Sequence, residues 1–239
     1  MHKGFSPLNR EFVLEKIRAQ VRELDADLVF LQEVQGQHDH LAKKWKNWPA
    51  NSQFEFLAEQ LWHHHAYGQS SIYDEGHHGN AILSKFAFES WKNIDISGAS
   101  WDRRGFIHGV VHIPETELRV HVVCTHLGLL ENFRRKQIKD LCGHIQKTVP
   151  VNAPLIVAGD FNDWRERISQ SLYESVHLEE VFLKTSGSHA RSFPSILPFF
   201  HLDRIYTRGF MVKDAQCYKS EPWNGLSDHL PMYAQLLIE

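Results

Sequence analysis

The chain has 239 residues, 42% of them hydrophobic and 23% charged, which is the balance of a globular protein with a sizeable core. Its net charge of −3 argues against a broad electrostatic grip on duplex DNA but leaves room for a local basic cleft. Three widely spaced cysteines, Cys124, Cys142 and Cys217, make neither a disulfide framework nor a zinc pattern. They read as small core residues of a reducing compartment.

No stretch approaches the ~20 apolar residues of a membrane span, and the N-terminus carries no signal-peptide core. The expected location is therefore cytoplasmic, and the expected state a monomer. Seventeen histidines are unusual. The run His63-His64-His65 reads as a solvated surface or an adventitious metal binder.

In chain order, apolar residues at helical spacing predict an amphipathic helix over 11–24. A short buried strand over 27–31 follows and ends at Glu33. A second helix is expected over 52–62. A strand over 81–84 is preceded by a turn at Gly79-Asn80. Alternation predicts neighbouring strands at 106–113 and 119–124, joined by a turn over 114–117. The clearest helix covers 131–149, with Ile138, Leu141, Cys142, Ile145 and Val149 on one face. The apolar strand 155–158 leads into Gly159-Asp160. A polar helical stretch to about residue 176 and strands at 202–206 and 232–238 complete the pattern. Strands and helices interleave without a linker or repeat, so residues 1–239 read as a single α/β domain with mixed or layered sheets.

Several strands end in acidic, amide or imidazole groups: Leu31-Gln32-Glu33-Val34, Thr125-His126-Leu127, Gly159-Asp160-Phe161-Asn162, Leu202-Asp203-Arg204-Ile205-Tyr206 and Ser227-Asp228-His229. Carboxylate and amide oxygens are hard ligands that suit Mg²⁺ or Mn²⁺, and a nearby imidazole can contact phosphate. Singly, each segment is an ordinary capped turn. Together with His78-Gly79-Asn80-Ala81-Ile82-Leu83-Ser84, and in this order, they resemble the endonuclease/exonuclease/phosphatase superfamily of metal-dependent phosphoesterases, over nearly the whole chain.

The resemblance implies a four-layer α/β/β/α sandwich of DNase I-like type, with the active site at one rim of two packed sheets. It implies Glu33 as principal metal ligand and Asp228 beside the metal, with Mg²⁺ or Mn²⁺ as cofactor. Asp160 would orient or deprotonate the attacking water, and Asn162 would hold that water or a phosphoryl oxygen. His229 would contact the scissile phosphate, with Asp203 fixing its ring, and His126 would be a second phosphate-facing imidazole.

The implied reaction is hydrolysis of a phosphodiester or phosphomonoester by in-line attack of an activated water, without a covalent intermediate. The substrate stays open between nucleic acid, a phospholipid headgroup and a small phosphoester. For a DNA or RNA endonuclease, Arg103-Arg104, Arg134-Arg135-Lys136, Arg165 and Arg167 are the candidate basic residues, with Arg134 or Arg135 facing phosphate. The segment 193–200 (Phe-Pro-Ser-Ile-Leu-Pro-Phe-Phe) reads first as core packing beneath a proline-rich turn, and otherwise as a hydrophobic wall near the site.

One departure stands out. The family begins with a central strand ending in an Asn of the metal or phosphate site, and Met1-His2-Lys3-Gly4 starts just past that position. The first strand is therefore expected to be missing, and the natural chain to carry about ten further strand-forming residues upstream. Without that Asn, the alternative is a catalytically weak binding protein.

Overall fold

The computed structural model describes residues 1–114, 116 and 118–238, and every structural statement below concerns these. The expected 114–117 turn lies partly outside them.

Helix α1 (Leu14–Leu24) buries Leu14 and Ile17 and stops at Asp25, whose left-handed backbone turns the chain. Strand β1 (Leu28–His38) is longer than its apolar run. It continues past Glu33 because β3 (Gly76–Ser84) supplies ladder partners on both sides of an irregularity between Leu31 and Val34. Helices α2 (Asp39–Lys44) and α3 (Gln53–Ala58) are short. A capping box between Ser52 and Glu55 opens α3, which ends well before residue 62. Strand β2 (His64–Tyr73) takes in two of the three clustered histidines and completes a three-stranded antiparallel sheet in the order β1-β3-β2.

Gly79 and Asn80, read as a turn, lie within β3. A Cβ on Gly79 would come 1.9 Å from the Gly68 carbonyl, so only glycine allows β2 this close.

The second sheet has six strands in the order β4-β5-β6-β7-β9-β8. They are β4 (Phe88–Asp95), β5 (Gly105–Ile113), β6 (Leu118–His126), β7 (Leu155–Asp160), β8 (Glu179–Glu180) and β9 (Asp203–Arg208). Only β6 and β7 run parallel, joined over the sheet by α4 (Glu131–Thr148). Helices α5 (Ile168–Val176) and α6 (Val181–Ser186) follow, and β10 (Phe210–Cys217) and β11 (Met232–Ile238) form a separate antiparallel pair.

Three apolar clusters define four layers. Leu14, Ile17, Leu57 and Trp62 pack on Val34, Ala81 and Leu83 of the first sheet. Ala66 and Ile82 meet Ile107, Val122, Cys124 and Ile156 between the sheets. Leu141, Ile145 and Leu172 cover Val123 and Val157 on the far side. The result is the α/β/β/α order, each sheet burying both faces.

A histidine chain bridges the second sheet and α4. The rings of His144 and His121 each lie 2.9 Å from one nitrogen of His108. Burial, then the neighbouring His144 and His121, pushes His108 from 6.5 down to about 4. Burial also lowers His121, reinforced by Arg208, and His144, reinforced by Lys92. Above the ordinary imidazole pKa both folded and unfolded chains are neutral here. As pH falls below it the unfolded chain takes up protons that the folded chain refuses, so stability falls until about pH 4. Urea midpoints should therefore drop between about pH 7.5 and 5.5, and His108→Gln should flatten that drop. An unchanged slope in the variant would assign the pH dependence elsewhere.

Candidate active site

Strand pairing builds the site. Parallel register sets His126 of β6 opposite Asp160 of β7, and antiparallel register sets Asp203 of β9 opposite the same Asp160. Three neighbouring strand ends thus deliver an imidazole and two carboxylates in one row. Gly159 makes the approach possible. Its φ is +151°, and a Cβ there would lie 1.9 Å from the Thr125 carbonyl.

His229 arrives from the loop before β11. Its Nδ1 donates to Asp203 Oδ2 at 2.7 Å, which turns Nε2 to within 4.0 Å of Asp160 Oδ2. Burial disfavours a charged ring, but Asp203, with Asp160 and Asp228 behind it, outweighs burial and raises His229 to about 9. The ring is therefore an imidazolium at neutral pH. Asp203 is buried too, and the charge and hydrogen bond of His229 overcome that burial to hold its carboxyl below the ordinary range.

Asp160 goes the other way. Burial and the charge of Asp203 raise its carboxyl above the usual carboxylate range. Its Oδ1 accepts the Asn162 backbone N–H at 2.8 Å, while Oδ2 stands 3.4 Å from His126 Nε2. Burial, followed by Arg104 and His229, lowers His126 well below 6.5, so this imidazole is neutral. Asn162 is buried with φ +49°, and its Nδ2 donates to the Leu127 carbonyl at 2.9 Å. That bond orients the amide and leaves its oxygen as the free polar end.

Glu33 and Asp228 complete the site from the other sheet and the His229 loop. Glu33 lies at the β1 irregularity with φ +55°, a left-handed conformation that a non-glycine residue adopts at a cost and that recurs at functional sites. His2 Nδ1 lies 3.0 Å from Asp228 Oδ2 and 4.0 Å from Glu33 Oε2. Burial of Asp228 opposes ionisation, yet the His2 hydrogen bond and the charge of His229 hold its carboxyl well below the usual range. Two carboxylates thus face one imidazole, whose other ring nitrogen is buried without a partner. This is a hard-oxygen donor set that fits a divalent cation.

His2, His78 and Asn80 border the site without having been given a role from the sequence. His2 needs the fold to reach Asp228. A small cleft beside Glu33 and His126 is lined by His78, Asn80 and Arg104, and burial pushes His78 down to about 4. The His78-Gly79-Asn80 run was the available signal for two of them.

Arg134, a candidate phosphate contact, is instead buried, donating to the Gly128 and Leu129 carbonyls and lying over the Trp164 ring. Arg135 turns to Glu131 at 2.6 Å. The expected core packing of 193–200 does not hold either: Ile196 and Leu197 are 74% and 72% exposed.

Two packed sheets with an acid–imidazole row at their common rim define a phosphoester-handling α/β sandwich. The chain belongs to the endonuclease/exonuclease/phosphatase family, whose model matches residues 3–229. The family's members are hydrolases of phosphate esters, and the chain is a phosphoesterase by class.

It is 40% identical over 236 residues to the uncharacterised protein YbhP of Escherichia coli, covering 99% of this chain and 93% of that one. Among solved structures, the human Nocturnin catalytic domain with bound sulfate matches 100% of this chain and 92% of its own at 20% identity and a TM-score of 0.75. A mannosyl-6-phosphatase of Bacteroides thetaiotaomicron matches 94% and 90% at 17% identity and a TM-score of 0.71. At these identities the structural likeness speaks for the fold.

Proposed function

We propose that the chain is a divalent-metal-dependent phosphoesterase that splits a phosphodiester or phosphomonoester by in-line attack of water. The observation that carries this reading is the row itself: Asp160 Oδ2 lies 3.4 Å from His126 Nε2 and 4.0 Å from His229 Nε2, and Asp203 holds the His229 ring at 2.7 Å. Its opposed tuning, with Asp160 raised and Asp203 lowered, supports the same reading.

The geometry supports the following division of labour. Asp160 Oδ2 takes the water's proton, because a raised carboxyl is a stronger base than an ordinary one. The water oxygen bonds to phosphorus as the ester P–O bond breaks; the leaving group departs as an oxyanion and takes a proton from solvent to become an alcohol, and Asp160 returns its proton to solvent. His229 Nε2–H donates to a phosphoryl oxygen, where negative charge builds in the transition state. Asp203 does not touch substrate; it keeps that ring charged and aimed. Asn162 offers its amide oxygen to the water. Neutral His126 adds an uncharged polar contact beside Asp160. Glu33 and Asp228 would hold Mg²⁺ or Mn²⁺, which when bound supplies Lewis-acid charge to the phosphoryl oxygens.

The reading takes the protein as a cytoplasmic monomer. Its three cysteines are free, and among the described residues no helix is long and apolar enough to cross a membrane. Hydrolysis of bis-p-nitrophenyl phosphate, assayed with Mg²⁺, with Mn²⁺ and with EDTA, tests the reaction. Turnover with metal and none in EDTA is the expected result; equal turnover in EDTA would overturn the metal dependence.

A further inference from the structure

The mouth of the site is ringed by apolar side chains that face solvent. The segment 193–200 is a hairpin pinched at its base by paired backbone bonds between Phe193 and Phe200 and turned by the Leu197 N–H on the Pro194 carbonyl. Its base is fastened to the site. The Phe193 ring lies 4.8 Å from the His229 ring, Ser195 N–H donates to the Asp228 carbonyl at 2.7 Å, and Ser195 Oγ donates to the Ser227 carbonyl at 2.6 Å. Its tip is open, with Ile196, Leu197 and Phe199 all exposed.

Neighbouring loops repeat the pattern. Leu129 and Leu130 follow the His126 strand, and Trp164 follows the Asp160 strand, each exposed. Trp101, 69% exposed, lies in the loop entering β5 at the same end, since Phe106 pairs with Thr125. Exposed apolar side chains gathered at one end of the sheet, beside the site, mark an interaction surface.

Shape and charge select the partner. The apolar groups stand on separate loops, and a cavity of about 570 Å³ beside them is lined by Glu131, Arg135 and Arg167 and by none of the exposed apolar tips, so those tips do not line one groove for a peptide. Trp, Leu and Ile tips flanked by arginines are the composition of a surface that sits in a lipid interface. Three arginines, Arg135, Arg165 and Arg167, share the one carboxylate of Glu131 directly beside Leu130, and Glu166 between two of them turns to His201, so cations outnumber carboxylates here on a chain that is negative overall. That complements anionic headgroups.

We propose that this rim docks on the surface of an anionic lipid bilayer, and that the ester presented to the Asp160–His229 row is carried on a membrane amphiphile. The second half rests on the phosphoesterase reading; the docking itself does not. A surface resting on the ring would bring a headgroup phosphate down between the loops to the row, with the rest of the lipid against the 193–200 hairpin.

The test is co-sedimentation with vesicles of phosphatidylcholine containing a minority of phosphatidylglycerol, run beside bis-p-nitrophenyl phosphate hydrolysis. The wild-type chain should sediment with the vesicles. The double variant Ile196→Asp/Leu197→Asp should partition at least about tenfold less, because two charges replace two apolar anchors. It should hydrolyse the water-soluble ester as well as the wild type does, since neither side chain touches the row. That equality also shows that the variant folds.

Wild-type protein that cleaves the soluble ester but stays in the supernatant would overturn the docking. So would vesicle binding indifferent to the double substitution. A dimer seen by light scattering and lost in the double variant, without vesicle binding, would assign the rim to self-association instead. Vesicle binding lost in the variant, with no hydrolysis of any ester by the wild type, would support the docking and sink the phosphoesterase reading.

Discussion

Replacing Asp160 with asparagine should lower kcat by ~10²–10⁴-fold, the usual effect of losing a general base, while leaving the folded chain as stable as before or more so. The two halves share a cause. Burial and the charge of Asp203 make the ionised Asp160 carboxyl unfavourable in the folded state. Asparagine removes that unfavourable charge and keeps the oxygen that accepts the Asn162 N–H. Steady-state kinetics on bis-p-nitrophenyl phosphate, paired with thermal melts, reads both. A near-wild-type kcat would move the proton-accepting role elsewhere. A large loss of stability would show that the ionised carboxylate is structural.

Asp203→Asn should act through pH. In the wild type His229 stays charged up to about 9 because Asp203, helped by Asp160 and Asp228, outweighs burial. With the nearest counter-charge gone, burial gains and the ring's pKa falls by about 1–3 units. The imidazolium is the active form, so the alkaline limb of the kcat profile should move to lower pH, and the acidic limb set by Asp160 should move the same way because the Asp203 charge that raises it is gone. The folded-state preference for the charged ring, which stabilises the protein at low and neutral pH and is lost as pH rises through about 9, should shrink in parallel. His229→Ala should remove the limb altogether along with most of the rate. An unshifted limb in Asp203→Asn would show that Asp203 does not govern the ring.

The strand ends were the legible part of the sequence. Apolar runs such as Leu155–Asp160 announce a buried strand, and the polar residues just beyond its apolar core fall in one row because sheet register leaves them no other place. Strands with little burial were not legible. β4 reads Phe-Glu-Ser-Trp-Lys-Asn-Ile-Asp, an edge held by backbone bonds to β5 with most side chains in water, so neither alternation nor an apolar run marks it. β2 opens on histidines and β10 mixes Lys and Asp into its run, with the same consequence.

Backbone conformation was hidden as well. Nothing in the letters Gln-Glu-Val says that Glu33 adopts φ +55° at an irregularity that β3 pairs across. The contact of His2 with Asp228 spans almost the entire chain and exists only once the fold closes. The hairpin at 193–200 was misread because apolar residues between prolines ordinarily pack inward. Here its base is bound to the Ser227–Asp228 backbone, and that attachment turns Ile196 and Leu197 outward.

Everything proposed for the reaction depends on Glu33, with Asp228, holding a divalent cation. Titration calorimetry of Mn²⁺ into the metal-stripped chain and into Glu33→Gln measures it without reference to turnover. The wild type should give a binding isotherm that is lost or greatly weakened in the variant, whose side chain keeps its shape but not its charge. Equal Mn²⁺ affinity in the two proteins would contradict it.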